Sequence, residues 1–148
     1  MQHINVKCYE LCSYWRTNPT LIWGLFGWWA TVGSAFGLAG GAPGLGSNIN
    51  LLQALTNPRS DGLGKLYREG TASLLNSMAS KEFPYTTKQV RDSFVAALSS
   101  NKAAAAQAAR FKLANEVFVP FRRAISANSF GYGRKFLSFR WSTGLHNS

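Results

Sequence analysis

Acidic residues, histidines and cysteines are all scarce in this chain of 148 residues, which has six Asp and Glu, two His and two Cys. Catalysis by general acids and bases needs positioned titratable groups, commonly in pairs, and the acids here are spread one at a time. They are Glu10, Asp61, Glu69, Glu82, Asp92 and Glu116. Both histidines, His3 and His146, lie near the chain ends. The composition therefore argues against an enzyme, and we expect no catalytic or cofactor-binding residues.

The two cysteines, Cys8 and Cys12, leave three interpretations open: a short-loop disulfide, half of a soft-metal site, or two unrelated thiols. A zinc site would need every cysteine and histidine of the chain as a ligand, so we expect no bound metal. A disulfide ranks above a metal site if the protein is secreted, because disulfides persist in oxidising compartments. Residues 1–10 are polar and lack the basic start and apolar run of a signal peptide.

Negative charge is also scarce relative to positive charge, since 16 Lys and Arg give a formal net charge of +10. This excess favours anionic partners such as nucleic acid, acidic polysaccharide or phospholipid headgroups. Residues 117–148 contain no acidic residue and five basic ones, Arg122, Arg123, Arg134, Lys135 and Arg140. We expect these five side chains to make weak polyanion contacts.

Charged residues are absent from residues 17–58. Within this segment Leu21–Ala39 is long enough to span a membrane, and Arg16 supplies a flanking positive charge. Gly24 and Gly27, together with three tryptophans, suit tight packing within a protein better than contact with lipid. We therefore predict an apolar helix rich in Trp and Gly at Leu21–Phe36, with membrane contact through residues 21–39 as the alternative.

Helical patterns account for most of the following sequence. Helices are predicted at Asn50–Thr56, Asp61–Lys81, Thr87–Leu98 and Lys102–Asn115. Thr86 and Gln89 have the spacing of a capping box, in which each side chain bonds the other residue's backbone N–H. Asn101 can cap the next helix. The prediction is a mainly α fold, a small helical bundle with the apolar helix at its N-terminal end and an irregular C-terminal tail.

The helical periodicity also predicts the core. Apolar residues in Asp61–Lys81 recur at three- and four-residue steps, which places them on one face of a helix. The predicted core residues are Trp15, Trp23, Leu66, Leu74, Phe94 and Leu98. The neighbouring charges Arg68-Glu69 and Arg91-Asp92 are interpreted as exposed helix faces, where ion pairs contribute little.

Two colinear stretches carry a family resemblance. One is Cys12-Ser13-Tyr14-Trp15-Arg16-Thr17-Asn18-Pro19, running into Leu21–Gly37. The other runs from Asp61 to Glu116 and includes Tyr67-Arg68-Glu69-Gly70-Thr71-Ala72-Ser73-Leu74-Leu75-Asn76. Together they resemble the C-terminal domain of the plant protodermal factor family over about residues 12–116.

The resemblance implies a non-enzymatic structural or interaction protein of the plant epidermal cell surface or cell wall. A cell-wall polysaccharide or another wall protein is then the expected partner, and the expected location is secreted. Family members usually carry a signal peptide and a proline-rich region ahead of this domain, and neither is recognisable in this sequence. The alternative is a basic protein that associates with membranes or binds nucleic acid.

The resemblance divides the chain into a helical domain at residues 1–116 and a basic aromatic tail at residues 117–148. The tail interleaves aromatic residues with arginines, a composition that can bind single-stranded nucleic acid or lie at a membrane interface. It shows no helical or strand periodicity. We therefore expect it to be poorly ordered, and read-through of an intron or a shifted frame would explain its abrupt start.

Overall fold

The computed structural model describes residues 14–46 and 48–118, and this part of the chain is mainly helical. The helices are α1 (Pro19–Phe26), α2 (Val32–Phe36), α3 (Leu51–Thr56), α4 (Gly62–Ala79), α5 (Thr87–Ala97) and α6 (Asn101–Val117). Extended pairing among these residues is limited to the isolated bridges Thr31–Asn50 and Ala42–Gly46. The predicted mainly α fold is confirmed.

Helix α4 is the centre of the bundle and packs against α3, α5 and α6. Its apolar face is fully buried at Leu66, Tyr67, Leu74 and Leu75. Where α4 begins, a Cβ on Gly62 would collide with the carbonyl oxygen of Asn101, so glycine allows the two backbones to approach closely there.

Helix α6 packs through small residues as well as through one large one. Ala104 and Ala108 are buried with Phe111, whereas Leu113 is 61% exposed. The cap of this helix differs from the prediction, because the Ser100 hydroxyl accepts from the backbone N–H of Ala103 at 3.0 Å. The Asn101 side chain instead accepts from the backbone N–H of Leu63 at 3.0 Å and so ties α6 to the start of α4.

Helix α5 begins with the predicted capping box. The backbone N–H of Thr86 donates to Gln89 Oε1 at 2.9 Å, and that of Gln89 donates to Thr86 Oγ1 at 3.1 Å. Further along the helix, the Phe94 ring is fully buried and stacks on Phe36 of α2 with 3.8 Å between ring centroids. Leu98, predicted in the core, is half-buried at the end of α5.

The prediction of one apolar helix over Leu21–Phe36 is wrong. Helix α1 ends at Phe26, because Gly27 adopts a φ of +87°, a conformation that other residues rarely adopt. The chain resumes as α2 after Thr31, whose side chain and that of Ser34 form a second capping box. In residues 14–46 and 48–118, no helix is both long and apolar enough to cross a bilayer.

The helical domain extends slightly past the predicted boundary at residue 116. Val117 is the last residue of α6, and Phe118 is only 2% exposed. The Phe118 ring contacts Phe83 edge to face, with centroids 5.3 Å apart. These two residues therefore belong to the folded domain and not to the tail. Residues 119–148 lie outside the described part of the chain.

Candidate functional site

Three tryptophans near the N-terminal end are exposed and are the largest apolar side chains on the described surface. Trp23 is 45% exposed, Trp28 73% and Trp29 68%. We call Trp23, Trp28 and Trp29 the tryptophan surface. Large apolar side chains left in water in this number usually mark an interaction site. The assignment of Trp23 to the core was wrong, because the pattern of α1 shows that the segment is apolar but not which of its side chains the core covers.

The turn after α1 sets the geometry of the tryptophan surface. The backbone N–H of Gly27 donates to the carbonyl oxygen of Trp23 at 2.7 Å and closes the helix. The rings of Trp28 and Trp29 then meet edge to face, with centroids 5.9 Å apart and planes at 84°. A Cβ on Gly27 would lie 2.9 Å from Trp29 Cζ2, so the Trp29 indole rests directly on the glycine backbone. Glycine at this position therefore fixes both the turn and the position of one ring.

The chain is anchored immediately after the turn. Ala30 is buried, and the Thr31 capping box starts α2. The backbone N–H of Val32 donates to the carbonyl oxygen of Ile49 at 2.9 Å, which ties α2 to the segment before α3. Trp28 and Trp29 are thus presented by a short turn between two fixed points, and Trp23 is presented by α1. Presentation on fixed elements lowers the entropic cost of binding a ligand.

The chain segment that carries the tryptophan surface is itself electrically neutral. No ionisable side chain occurs in residues 17–58, which contain α1, α2 and α3. The Arg91 guanidinium reaches α2 from α5, and its Nε donates to the carbonyl oxygen of Ala35 at 2.7 Å. Arg59 forms an ion pair with Asp61 and also hydrogen-bonds the carbonyl oxygen of Gly44. These two cations therefore hold the fold together, as does Arg68, whose Nη1 donates to the carbonyl oxygen of Asn57 at 3.0 Å, and Arg16 directly precedes the segment.

An open groove of about 490 Å³ lies beside α3 and also lacks charge. It is lined by Leu45, Asn48, Ile49, Gln53, Thr56, Asn57 and Pro58. Its polar groups are amides and hydroxyls, which can donate to or accept from neutral polar ligands. Helix α1, which carries Trp23, contacts α3.

A buried cluster of polar side chains connects the N-terminal segment to the helical bundle. The indole N–H of Trp15 donates to Asn76 Oδ1 at 3.0 Å, and Asn76 Nδ2 donates to Asn115 Oδ1 at 3.0 Å. Ser73 Oγ also donates to Asn115 Oδ1 at 3.0 Å. Asn115 Nδ2 donates to the carbonyl oxygen of Glu69 at 3.2 Å and to Glu69 Oε2 at 3.0 Å. The cluster joins α4, α6 and the segment that leads into α1.

This cluster was missed at the sequence level, where Glu69 was interpreted as part of an exposed face. Glu69 is 6% exposed, and Ser73 and Asn76 are fully buried. A signal was present, because residues 69, 73 and 76 are spaced by four and three and so share one stripe of the helix. The partner Asn115 lies far along the chain, so periodicity alone could not have found it.

Two titratable groups have pKa values shifted by structural contacts. The hydrogen bond from Arg59 holds the pKa of Asp61 below its ordinary value, and Asp61 Oδ1 also caps α4 through the backbone N–H of Gly64. Burial raises the pKa of Tyr67 to about 12, and its hydroxyl donates to the carbonyl oxygen of Pro43 at 2.7 Å. These contacts fasten the glycine-rich loop at residues 40–46 to α4.

The other predicted site residues fall into two groups. Trp15, Leu66, Leu74 and Phe94 are buried in the core. The cysteines Cys8 and Cys12, and the basic residues Arg122, Arg123, Arg134, Lys135 and Arg140, lie outside the described residues. Across residues 14–46 and 48–118, no cluster of three His, Cys, Asp or Glu side chains could hold a metal ion.

The described residues define a small α-helical domain that exposes three tryptophans and has a neutral groove beside α3. A family model for the protodermal factor 1 C-terminal domain matches residues 11–123, and the chain belongs to this family. Protodermal factor 1 of Arabidopsis thaliana is 66% identical to it over 108 residues, covering 71% of this chain and 35% of the relative. The chain thus spans about a third of the length of that curated relative. No solved structure matches the chain.

Proposed function

We propose that this is a non-enzymatic structural or interaction domain of the plant epidermal cell surface or cell wall. Family membership supports the epidermal setting, since the relative from Arabidopsis thaliana is named for the protoderm. The observation that carries an interaction role is the tryptophan surface. Three indoles exposed on α1 and on the anchored turn after it would be costly to leave in water unless a partner covers them.

The non-enzymatic part of the proposal is supported by the structural roles of the carboxylates. Asp61 pairs with Arg59 and caps α4, and Glu69 accepts from Asn115 inside the core. Asp92 pairs with Lys88 on the exposed face of α5. A general acid or base must reach a substrate from an accessible cleft. Each of these three acids is thus engaged with a cation, a backbone N–H or an amide that has a structural role.

Binding to wall material tests the proposed function. The full chain is mixed with washed epidermal cell-wall fragments and sedimented, and the protein left in solution is measured. We expect the domain to be depleted from solution, and part of the binding to persist at high salt, where contacts between exposed charges are screened. Cytochrome c, a basic protein of another fold, is the control for charge. Retention no greater than that of cytochrome c at every salt concentration would contradict the proposal.

A second candidate, a basic protein that binds membranes or nucleic acid, rests on the net charge of +10. Such binding depends on counterion release and therefore weakens steeply with salt. Titration of the full chain with single-stranded DNA, heparin and anionic vesicles across a salt series measures this. We expect only weak polyanion binding. Tight binding at physiological salt to one of the three would favour the second candidate.

A further inference from the structure

The tryptophan surface has a chemistry that restricts its ligand. Indole rings provide flat apolar faces and one N–H donor each. Trp28 and Trp29 are exposed for 73% and 68% of their area, so most of each side chain is open to a ligand, although part of the Trp29 indole rests on Gly27. Sugars whose hydroxyls are equatorial, such as glucose in β-linked glucans, present apolar C–H faces of matching shape. Their hydroxyls remain at the ring edge, where amides and hydroxyls can meet them.

The charge around the surface distinguishes this ligand from the others that tryptophan can meet. An interfacial membrane site combines Trp with Lys and Arg, and an acidic polysaccharide or nucleic acid needs cations. Residues 17–58 contain no positively or negatively charged side chain. Of the cations next to this segment, Arg59 holds Asp61, Arg68 holds the Asn57 carbonyl and Arg91 holds the Ala35 carbonyl, while Arg16 directly precedes residue 17. A neutral ligand is therefore the one that this surface complements.

The angle between the Trp28 and Trp29 rings favours binding of a single polysaccharide chain over binding to the flat surface of a solid polysaccharide. The planes of Trp28 and Trp29 meet at 84°, so both cannot lie flat on one planar face. A flexible chain can turn to stack one sugar on each ring. Gly27 holds this arrangement, because Trp29 packs on its backbone and its φ of +87° sets the turn.

We infer that the tryptophan surface binds single chains of a neutral polysaccharide built from equatorially substituted pyranoses, of the β-linked glucan class, by stacking sugars on Trp28 and Trp29. The inference rests on the proposed function and names the ligand class of the same surface. Trp23 of α1, which is 45% exposed, lies five residues before Trp28 in the chain and is the third exposed indole of this surface.

The test is calorimetric titration of the full chain with cellohexaose, a soluble neutral β-glucan oligosaccharide. We expect Trp28→Ala and Trp29→Ala each to weaken binding roughly tenfold, which corresponds to about 1.4 kcal/mol. Trp28→Phe keeps a stacking ring and should retain an intermediate affinity. Leu113→Ala, which removes a similarly exposed apolar side chain from α6, is the matched control and should bind as the parent does. Binding should not change with salt.

Three outcomes would overturn the inference: no binding of cellohexaose, unchanged binding in the Trp28→Ala/Trp29→Ala double variant, or stronger binding of polygalacturonate or phosphatidylcholine vesicles to the same two rings. Thermal melting of each variant checks the fold, and we expect nearly unchanged midpoints because the replaced side chains are exposed. The sedimentation assay with wall fragments separates the two proposals. If the double variant still binds walls as the parent does, the ligand assignment fails while the proposed function stands. If the parent does not bind walls, the proposed function fails as well.

Discussion

Replacing Asn115 by alanine tests the buried polar cluster that links α4, α6 and the N-terminal segment. The Asn115 amide makes four hydrogen bonds, accepting from Ser73 and Asn76 and donating twice to Glu69. Asn115 is 1% exposed, so these groups lie where water cannot replace the amide without rearrangement. A buried polar group that loses its partner costs about 1–3 kcal/mol. The substitution leaves the donors of Ser73 and Asn76 without an acceptor and removes the amide that donates to Glu69. We therefore expect the unfolding free energy to fall by about 3–5 kcal/mol.

Urea denaturation followed by circular dichroism measures this loss. The midpoint should fall while the slope of unfolding free energy against urea stays constant, since the same surface is exposed on unfolding. Ser73→Ala removes one donor, but Asn76 still donates to Asn115 Oδ1. This variant should therefore lose only about 1 kcal/mol of unfolding free energy. Asn48→Ala, at an exposed asparagine of the groove, is the matched control. An Asn115→Ala variant as stable as Asn48→Ala would refute the account of the cluster.

Three further predictions concern single side chains in and around the bundle. Thr71→Val should stabilise the fold by about 1 kcal/mol in urea melts, because the fully buried Thr71 hydroxyl has no hydrogen-bond partner among the described residues. Thr86→Ala should lower the unfolding free energy by about 1 kcal/mol, because the capping box is lost. Phe94→Ala should lower it by about 3–5 kcal/mol, because a cavity is left in the core. A larger loss for Thr86→Ala than for Phe94→Ala would mean that the core is misplaced. The pKa of Asp61 is lowered in the folded state, so its ionised form stabilises the fold at neutral pH, and this stabilisation is lost as pH falls below about 4. The melting temperature of Asp61→Asn should therefore fall less on acidification than that of the parent.

The sequence allowed prediction where the determinants are local. Thr86 and Gln89 are three residues apart, and this spacing alone specifies the capping box that the structure contains. The apolar stripe of α4 likewise predicted that Leu66 and Leu74 are buried. In both cases the sequence pattern lies within one helix and its cap, so local spacing contains the needed information.

Prediction failed where the structure depends on partners distant in sequence or on one backbone conformation. Trp23 is as apolar as Trp15, but only Trp15 lies where Asn76 of α4 can accept from its indole. The positive φ of Gly27 divides the apolar segment, and glycine in a helical pattern does not by itself reveal this. The exposure of Trp28 and Trp29 follows from that break, which is why the candidate site emerged only from the structure.

The most direct test of the account uses the indole N–H resonances of the five tryptophans in a nitrogen-15 labelled chain. Cellohexaose is added in steps while the assigned two-dimensional spectrum is recorded. We expect the signals of Trp28 and Trp29 to shift most and that of Trp23 to shift less. The buried Trp15 signal, whose N–H donates to Asn76, should stay in place. No shift at Trp28 and Trp29, or shifts confined to other tryptophans, would contradict the claim that this surface is where the domain binds its ligand.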